Sequence, residues 1–284
     1  MNNTVVVQGG LGNQMFQYAF AKSLGDNTLL DISWFKKINV VTPRKLGLLD
    51  MRCTLRYESA FRRYTVSRLC KVFSVFGVKS FYPNISENDF DINNFANRCG
   101  RYIGYFQDEK LFKYCRNSLL NDFRLKEKIC ADEYIYYKAV TENTESVSIH
   151  VRRGDYLNPV FGWYNLPFEY YRDAIEFLKR ILNRPLEIFW FSDDPDYVKK
   201  MMIPYLGGVF VHTIQGYGAV ADLMLMKSCK HNIIANSSFS WWGAWLNENP
   251  SKIVIAPSKW NVDDRFGARI PAEWRVIENN NIAL

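Results

Sequence analysis

Apolar positions along the chain fall into two regimes. Val5-Val6-Val7 is a short β-branched run that gives way to Gly9-Gly10-Leu11-Gly12, and an apolar-periodic stretch then extends from Asn13 to Leu24, closed by Gly25. This is the pattern of strand, glycine turn and helix. Thr28 to Ile32 predicts a second strand. From Ser33 to Val140 the apolar residues come in short aromatic-rich clusters that predict helices and loops in no clear order. A regular rhythm starts at Ser146. Strands are predicted at Val147–His150, Leu186–Phe191, Val209–Val211, Asn232–Ala235 and Lys252–Ala256. Between them lie a loop with Gly162-Trp163-Tyr164, a helix from Pro167 and a helix opened by Ser192-Asp193-Asp194-Pro195. Further helices are predicted around Ala221–Lys227 and over Phe239–Leu246. In the first of these helices Phe168, Tyr171, Ile175, Leu178 and Leu182 recur at near-helical spacing. Strands alternating with helices over short connections imply an α/β fold with a doubly wound parallel sheet. The polar stretch Thr141–Glu145 suggests a boundary between residues 1–140 and 146–284.

The strand at Val147 ends abruptly in His150-Val151-Arg152-Arg153-Gly154-Asp155. Guanidinium groups stay charged and present a planar fork of donors to phosphate oxygens. Two of them at the carboxyl end of a strand, where α/β sheets bind ligands, suggest a diphosphate; a strand simply meeting solvent is the alternative. Ala235-Asn236-Ser237-Ser238-Phe239-Ser240 leads a strand directly into a helix carrying Trp241, Trp242 and Trp245. That junction suits an anion through free amides and the helix dipole, with Ser237, Ser238 and Ser240 as extra donors. Plain N-capping by serine is the alternative. In the N-terminal turn Gly10 and Gly12 fit a dinucleotide loop and Asp31 stands where its acid would, but Met15 replaces the third glycine, leaving a nicotinamide or flavin enzyme weakly supported. The amides Asn13 and Gln14 suit sugar hydroxyls, or else a helix cap and a solvated neighbour.

Composition narrows the class. The 284 residues are 48% hydrophobic and 16% aromatic, enough for two packed interiors rather than a disordered chain. The sequence contains no apolar run of the length of a membrane helix and no signal-peptide pattern at its start. Cys53, Cys70, Cys99, Cys115, Cys130 and Cys229 are scattered and read as reduced core cysteines in a cytoplasmic protein. His150, His212 and His231 lack ligand spacing, and Asp194-Pro195-Asp196 reads as a helix start rather than a metal-binding Asp-x-Asp. Of the net charge of +7, +6 lies between Met51 and Ser80, where Arg52, Arg56, Arg62, Arg63, Arg68, Lys71 and Lys79 face Glu58 alone. Interleaved Phe61, Tyr64, Leu69, Val72, Phe73 and Phe76 leave three readings open: an anionic membrane surface, nucleic acid, or a solvated helix packing its apolar stripe inward.

Four motifs together carry a resemblance. Gly-Gly-Leu-Gly-Asn-Gln-Met-Phe-Gln-Tyr-Ala from Gly9, the His150–Asp155 loop, Phe191-Ser192-Asp193-Asp194, and Cys229 to Leu246 resemble the α-1,2-fucosyltransferases of glycosyltransferase family 11, in family order. The resemblance is weakest between Ser33 and Ala139. It implies a GT-B-like architecture of two Rossmann-type domains with the nucleotide sugar in a cleft between them, an acceptor-side domain at 1–140 and a GDP-fucose domain at 146–284. It also implies metal-independent, inverting transfer of L-fucose from GDP-fucose to the 2-hydroxyl of a terminal β-galactose. On that basis Arg152 stabilises the departing β-phosphate, Arg153 supports it, and Asp155 orients the arginines. His150 and either Asp193 or Asp194 would contact guanine or ribose, the Ser237–Ser240 helix start would be a second, neutral clamp on the diphosphate, and Asn236, Ser238 and Phe239 would join the nucleotide-binding residues. Gly10, Gly12, Asn13 and Gln14 would line the sugar side. No carboxylate stands out as a base. No nucleic-acid partner is implied; the acceptor would be a lipid-linked O-antigen repeat at the inner face of a bacterial membrane, with residues 51–80 as a docking patch. A glycan-binding protein stacking sugars on Trp163, Trp241, Trp242 and Trp245 is the remaining alternative.

Overall fold

The computed structural model describes residues 2–36, 44–75, 82–89, 99–157, 165–260 and 270–278. The chain divides into two compact units, 1–126 and 127–284.

The first unit opens with β1 (Thr4–Val6), α1 (Leu11–Ser23) and β2 (Leu29–Asp31), then β3 (Arg56–Tyr57), α2 (Ala60–Val75), β4 (Asn84–Ser86), β5 (Arg101–Ile103) and α3 (Arg116–Asp122). Among the described residues its sheet has five strands in the order β3-β2-β1-β5-β4, all parallel. Helix α1 is buried along most of its length, with Met15, Phe16, Tyr18, Phe20 and Ala21 fully covered. Phe20 stacks on Phe106 at 3.9 Å and meets the edge of Tyr102. Parallel strands need crossovers, and α1 supplies the first by joining β1 to its neighbour β2.

Helix α2 corrects the expectation for the basic segment. Arg62 and Arg63 turn inward instead of facing a solvent-side partner. Arg62 Nη1 lies 2.5 Å from Glu58 and 2.9 Å from Thr4 Oγ1, and Arg63 pairs with Asp31. Arg101, from the start of β5, bridges Asp31 and Glu58, reaching the latter at 2.6 Å. Buried carboxylates are held only when paired, and here three guanidinium groups share two of them. Asp31 is thereby committed to ion pairs, so it does not present the free acid that a dinucleotide ribose requires. Lys79 and Phe76 lie outside the described residues.

The second unit begins with α4 (Asp132–Asn143) and β6 (Ser146–Val151). The boundary therefore falls near Lys126 rather than at 141–145. Met51 bridges to Leu125 and Lys126 donates to Asp50, tying that stretch back to the first unit, whereas α4 packs on β6 of the second. Then follow α5 (Phe168–Leu182), β7 (Glu187–Ser192), α6 (Pro195–Tyr197), a π-helical turn (Val198–Met202), α7 (Ile203–Leu206), β8 (Val209–Phe210), α8 (Gly218–Ser228), β9 (His231–Ile233), α9 (Ser238–Leu246), β10 (Val254–Pro257) and β11 (Arg275–Ile277). The helix expected after Asp194 forms, widening into the π-helical turn just ahead of Pro204, which has no N–H to give the preceding turn.

Among the described residues this sheet runs β11-β10-β9-β6-β7-β8, entirely parallel. Counted from its own first strand, that is the doubly wound Rossmann order. Val147, Ile149 and Val151 pack with Tyr171, Ile175 and Leu178 of α5. The Tyr170 hydroxyl donates to Ile234 O at 2.7 Å, pinning α5 to the exit of β9. Trp241, Trp242 and Trp245 are at most 1% exposed, Trp241 stacking on Trp245 and both meeting Trp242 edge-on, so they are core rather than sugar platforms. Trp163 and the 162–164 loop lie outside the described residues. The cysteines are less buried than expected: Cys229 is buried, Cys130 exposed and the other four half-buried.

Candidate nucleotide-sugar site

In a doubly wound sheet the ligand crevice opens where the strand order reverses, at the carboxyl ends of the first and fourth strands. Here those strands are β6 and β9. The arginine loop leaves the end of β6 and the Asn236–Ser240 junction leaves the end of β9, so the topology brings two motifs about eighty residues apart to one place. Tyr156 ties them, its hydroxyl donating to Asn236 O at 2.8 Å.

Two guanidinium groups and three carboxylates build the arginine loop. Arg152 pairs with Asp155 and, through Nη1, with Asp193 at 2.7 Å. Arg153 Nε donates to Asp194 at 3.0 Å, and its backbone N–H donates to Asp193 Oδ1 at 2.9 Å. Each arginine also lies over a ring: Arg152 5.3 Å from the centre of Tyr156, Arg153 3.6 Å from that of Tyr197. Gly154 lets the loop run close against Asp193, whose carboxylate a Cβ at that position would push aside. Asp193 and Asp194 are thus spent on fixing the arginines. Asp194 also caps α6 by accepting from Tyr197 N at 3.1 Å. Holding the arginines is a use of both carboxylates that their reading as guanine or ribose contacts did not include. Among the described residues no group of three or more His, Cys, Asp or Glu is arranged to hold a metal ion.

His150 sits beneath the loop, 5% exposed, its ring 5.7 Å from that of Phe239. Burial first, and the charge of Arg152 second, drive its pKa down to about 3, which keeps it neutral. Its Nδ1 is buried without a hydrogen-bond partner among the described residues.

Across the crevice, α9 begins with Ser237 as its cap, the hydroxyl accepting from Phe239 N at 3.3 Å. Ser240 Oγ accepts from Ala235 N and donates to Ser237 O, both at 3.3 Å. Asn236 is fully buried and donates to Trp260 O at 2.9 Å. Asn236, Ser237 and Ser240 therefore shape the turn with their side chains. Ser238 and Phe239 are half-buried at the helix start, where the dipole favours an anion.

Asp222 was not foreseen. It stands in the first turns of α8, a helix that starts from the loop beyond β8 and hence at the ligand edge of the sheet. Burial alone raises its pKa to about 7, and its Oδ1 has no hydrogen-bond partner among the described residues. The signal was present in the sequence: a lone acid among Val220, Ala221, Leu223, Met224, Leu225 and Met226.

The first unit has its own reversal point, between β1 and β5. Gly9, at φ +80°, turns the chain into α1 with Gly10 as the residue before the helix and Gly12 buried in its first turn. Asn13 accepts from Gln107 Nε2 at 2.8 Å, an arrangement that fixes the amide beside the exits of both strands. Gln14 is instead fully buried: its Nε2 donates to Gly9 O and Lys45 O, and its Oε1 accepts from Gly47 N. It braces the glycine turn and does not face a sugar. Gln17, overlooked in the sequence, links the two exits by donating to Gly104 O and accepting from Gln8 N, both at 2.9 Å.

The second sheet brings the paired arginines and a helix start to one reversal point, an arrangement suited to a diphosphate. The profile of "Glycosyl transferase family 11" matches residues 1–278, and the chain belongs to that family. It is 34% identical to the O-antigen biosynthesis glycosyltransferase WbnK of Escherichia coli, over 89% of this chain and 93% of that protein. To an α-1,2-colitosyltransferase of Escherichia coli it is 33% identical, over 95% and 97%. A galactoside 2-α-L-fucosyltransferase, Sec1 of Mus musculus, is 22% identical over 86% of this chain and 64% of its own. The fold matches that of Arabidopsis thaliana FUT1 in complex with GDP, with TM-score 0.52 and 14% identity over 95% and 74% of the two chains.

Proposed function

We propose that this chain is an inverting, metal-independent α-1,2-fucosyltransferase. It moves L-fucose from GDP-fucose to the 2-hydroxyl of a terminal β-galactose in an O-antigen repeat, on the cytoplasmic side of a bacterial inner membrane. The observation that carries this reading is the meeting of Arg152 and the α9 start at the β6/β9 reversal point. The kinship to WbnK supports the O-antigen context, and that to Sec1 supports the galactoside acceptor.

In the proposed reaction the bond from the fucose anomeric carbon to the β-phosphate oxygen breaks as the acceptor 2-oxygen bonds to that carbon from the opposite face. GDP departs with the bonding pair, and Arg152 stabilises the charge that develops on it. Asp155 and Asp193 hold the guanidinium in place beforehand, which lowers the cost of orienting it when the diphosphate arrives. Asn13, its amide fixed by Gln107, is the group of the first unit assigned to sugar hydroxyls. The acceptor proton leaves to water late, after the glycosidic bond has formed.

Asp222 is assigned to the paired N–H donors of guanine, which a carboxylate with a spare oxygen accepts. Only its charged form does so fully. GDP affinity is accordingly expected to fall as the pH drops below about 7, approaching about tenfold per pH unit. Calorimetric titration from pH 5 to 8 checks this, and Asp222→Asn should flatten the profile; a wild-type profile that is already flat removes Asp222 from the site.

The colitosyltransferase relative favours a second reading of the donor. Colitose lacks one hydroxyl of fucose, and a site that hydrogen-bonds a hydroxyl rejects the analogue lacking it strongly, whereas the reverse discrimination is weak. Rates with GDP-fucose and GDP-colitose at equal concentration decide: a preference of more than about tenfold for GDP-colitose overturns the fucosyl assignment and leaves the α-1,2 linkage standing.

A further inference from the structure

Helix α2 is amphipathic in reverse. Phe61, Tyr64, Arg68, Val72 and Val75 are spaced three or four residues apart and share one stripe of the helix. That stripe faces outward: Phe61 is 80% exposed, Val75 82%, Tyr64 58% and Val72 51%. The opposite side carries Arg62 and Arg63 into the Asp31–Glu58–Arg101 cluster, and Val66 is the one buried side chain described in the helix. A surface helix normally turns its apolar face to the core. Here the sheet face beneath is itself charged, so the polar side goes in and the apolar side is left in water.

The outer face also has a sign. Residues 59–75 contain no acid, and Arg68 and Lys71 are both exposed. The Arg68 guanidinium lies 5.1 Å from the centre of the Tyr64 ring, which keeps the charge beside the aromatic rim of the stripe. Arg52 and Arg56 are exposed on the approach to the helix. Aliphatic and aromatic side chains on one face with basic groups at its margin, and no acidic ones, complement an anionic lipid surface. A stripe about 24 Å long and about 10 Å wide offers about 240 Å², far below the ~800 Å² per partner of a stable protein interface. Two copies related by a two-fold axis would also set Arg68 and Lys71 against their equivalents.

We propose that the outer face of α2 docks this protein on an anionic membrane, the helix lying in the plane of the interface. The assignment stands on α2 alone and does not depend on the sugar reading above. Arg62 and Arg63 belong to the fold, so the docking charges are Arg68 and Lys71.

Co-sedimentation of the full chain with vesicles of phosphatidylcholine containing phosphatidylglycerol, against phosphatidylcholine alone, tests it. Binding to the anionic vesicles is expected, weakening with salt. The double variant Arg68→Gln/Lys71→Gln should weaken it by about tenfold or more, and Phe61→Ser/Val72→Ser/Val75→Ser should abolish it. Both variants should keep the wild-type thermal melting curve, because neither removes a buried contact. Absence of binding to anionic vesicles, or equal binding to neutral ones, overturns the proposal. So does a solution dimer of the wild type that the triple variant makes monomeric, which would assign the stripe to a second copy.

Discussion

An Arg152→Ala variant is expected to transfer sugar at least ~10²-fold more slowly than the wild type, with the loss mainly in kcat. The reason lies in what the guanidinium faces. Asp155 and Asp193 hold it from two sides. Without Arg152 these two carboxylates remain in the crevice with no cation between them, and the departing diphosphate meets repulsion where it needs a donor. Arg153→Ala is expected to cost less in kcat. Arg153 is engaged by Asp194 and by the Tyr197 ring, and its larger contribution is to hold the loop that carries Arg152. Steady-state rates with a saturating acceptor separate the two. Equal losses for both variants would mean that the loop acts only as a folded unit; a loss in KM alone would place Arg152 in ground-state binding.

Arg101→Ala should destabilise the first unit by about 3–5 kcal/mol, the range for removing one partner of a buried ion pair. Glu58 and Asp31 are each at most 5% exposed, and Arg101 is the residue that touches both. Burial by itself would raise the pKa of Asp31; hydrogen bonds from Ser33 and the charges of Arg101 and Arg63 outweigh it and hold the group below its ordinary value. A carboxylate depressed in the folded state contributes stability that is present above its unfolded pKa and is lost as the pH falls through the folded value. The deficit of the variant should therefore be full at neutral pH and shrink below about pH 4, as both chains come to carry neutral acids. Native-state hydrogen exchange at the β1 and β2 amides reads it directly. A deficit that stays constant down to pH 3 would assign the effect to lost packing of the arginine stem instead of to charge.

What the sequence made legible follows from element length and from where polar side chains find partners. Strand β6 is buried along its whole length with Val147, Ile149 and Val151 alternating in it, β7 carries the apolar run Ile188–Phe191, and α5 carries a regular apolar stripe, so the second sheet could be read in outline. β3, β4 and β5 are two or three residues each, with Arg56, Asn84 and Arg101 among them, and such segments have no period to detect. Helix α2 misleads any reading of amphipathicity because Asp31, the partner of Arg63, comes from a distant strand, and Glu58, the partner of Arg62, is buried beneath the helix. The arginine loop was legible because two guanidinium groups ending a buried strand have few structural uses. The commitments of Gln14, Asn236 and Ser240 were not, since short polar side chains beside a turn bond the nearest backbone groups first, and spacing does not reveal which.

The most direct test of the account is release of GDP from GDP-fucose, in excess EDTA, with and without a β-galactoside such as lactose. Release stimulated by the galactoside, with a new α-1,2 linkage on its terminal galactose, is the predicted result. Intact GDP binding without release in the presence of any galactoside, or release that appears only when a divalent cation is restored, would contradict it.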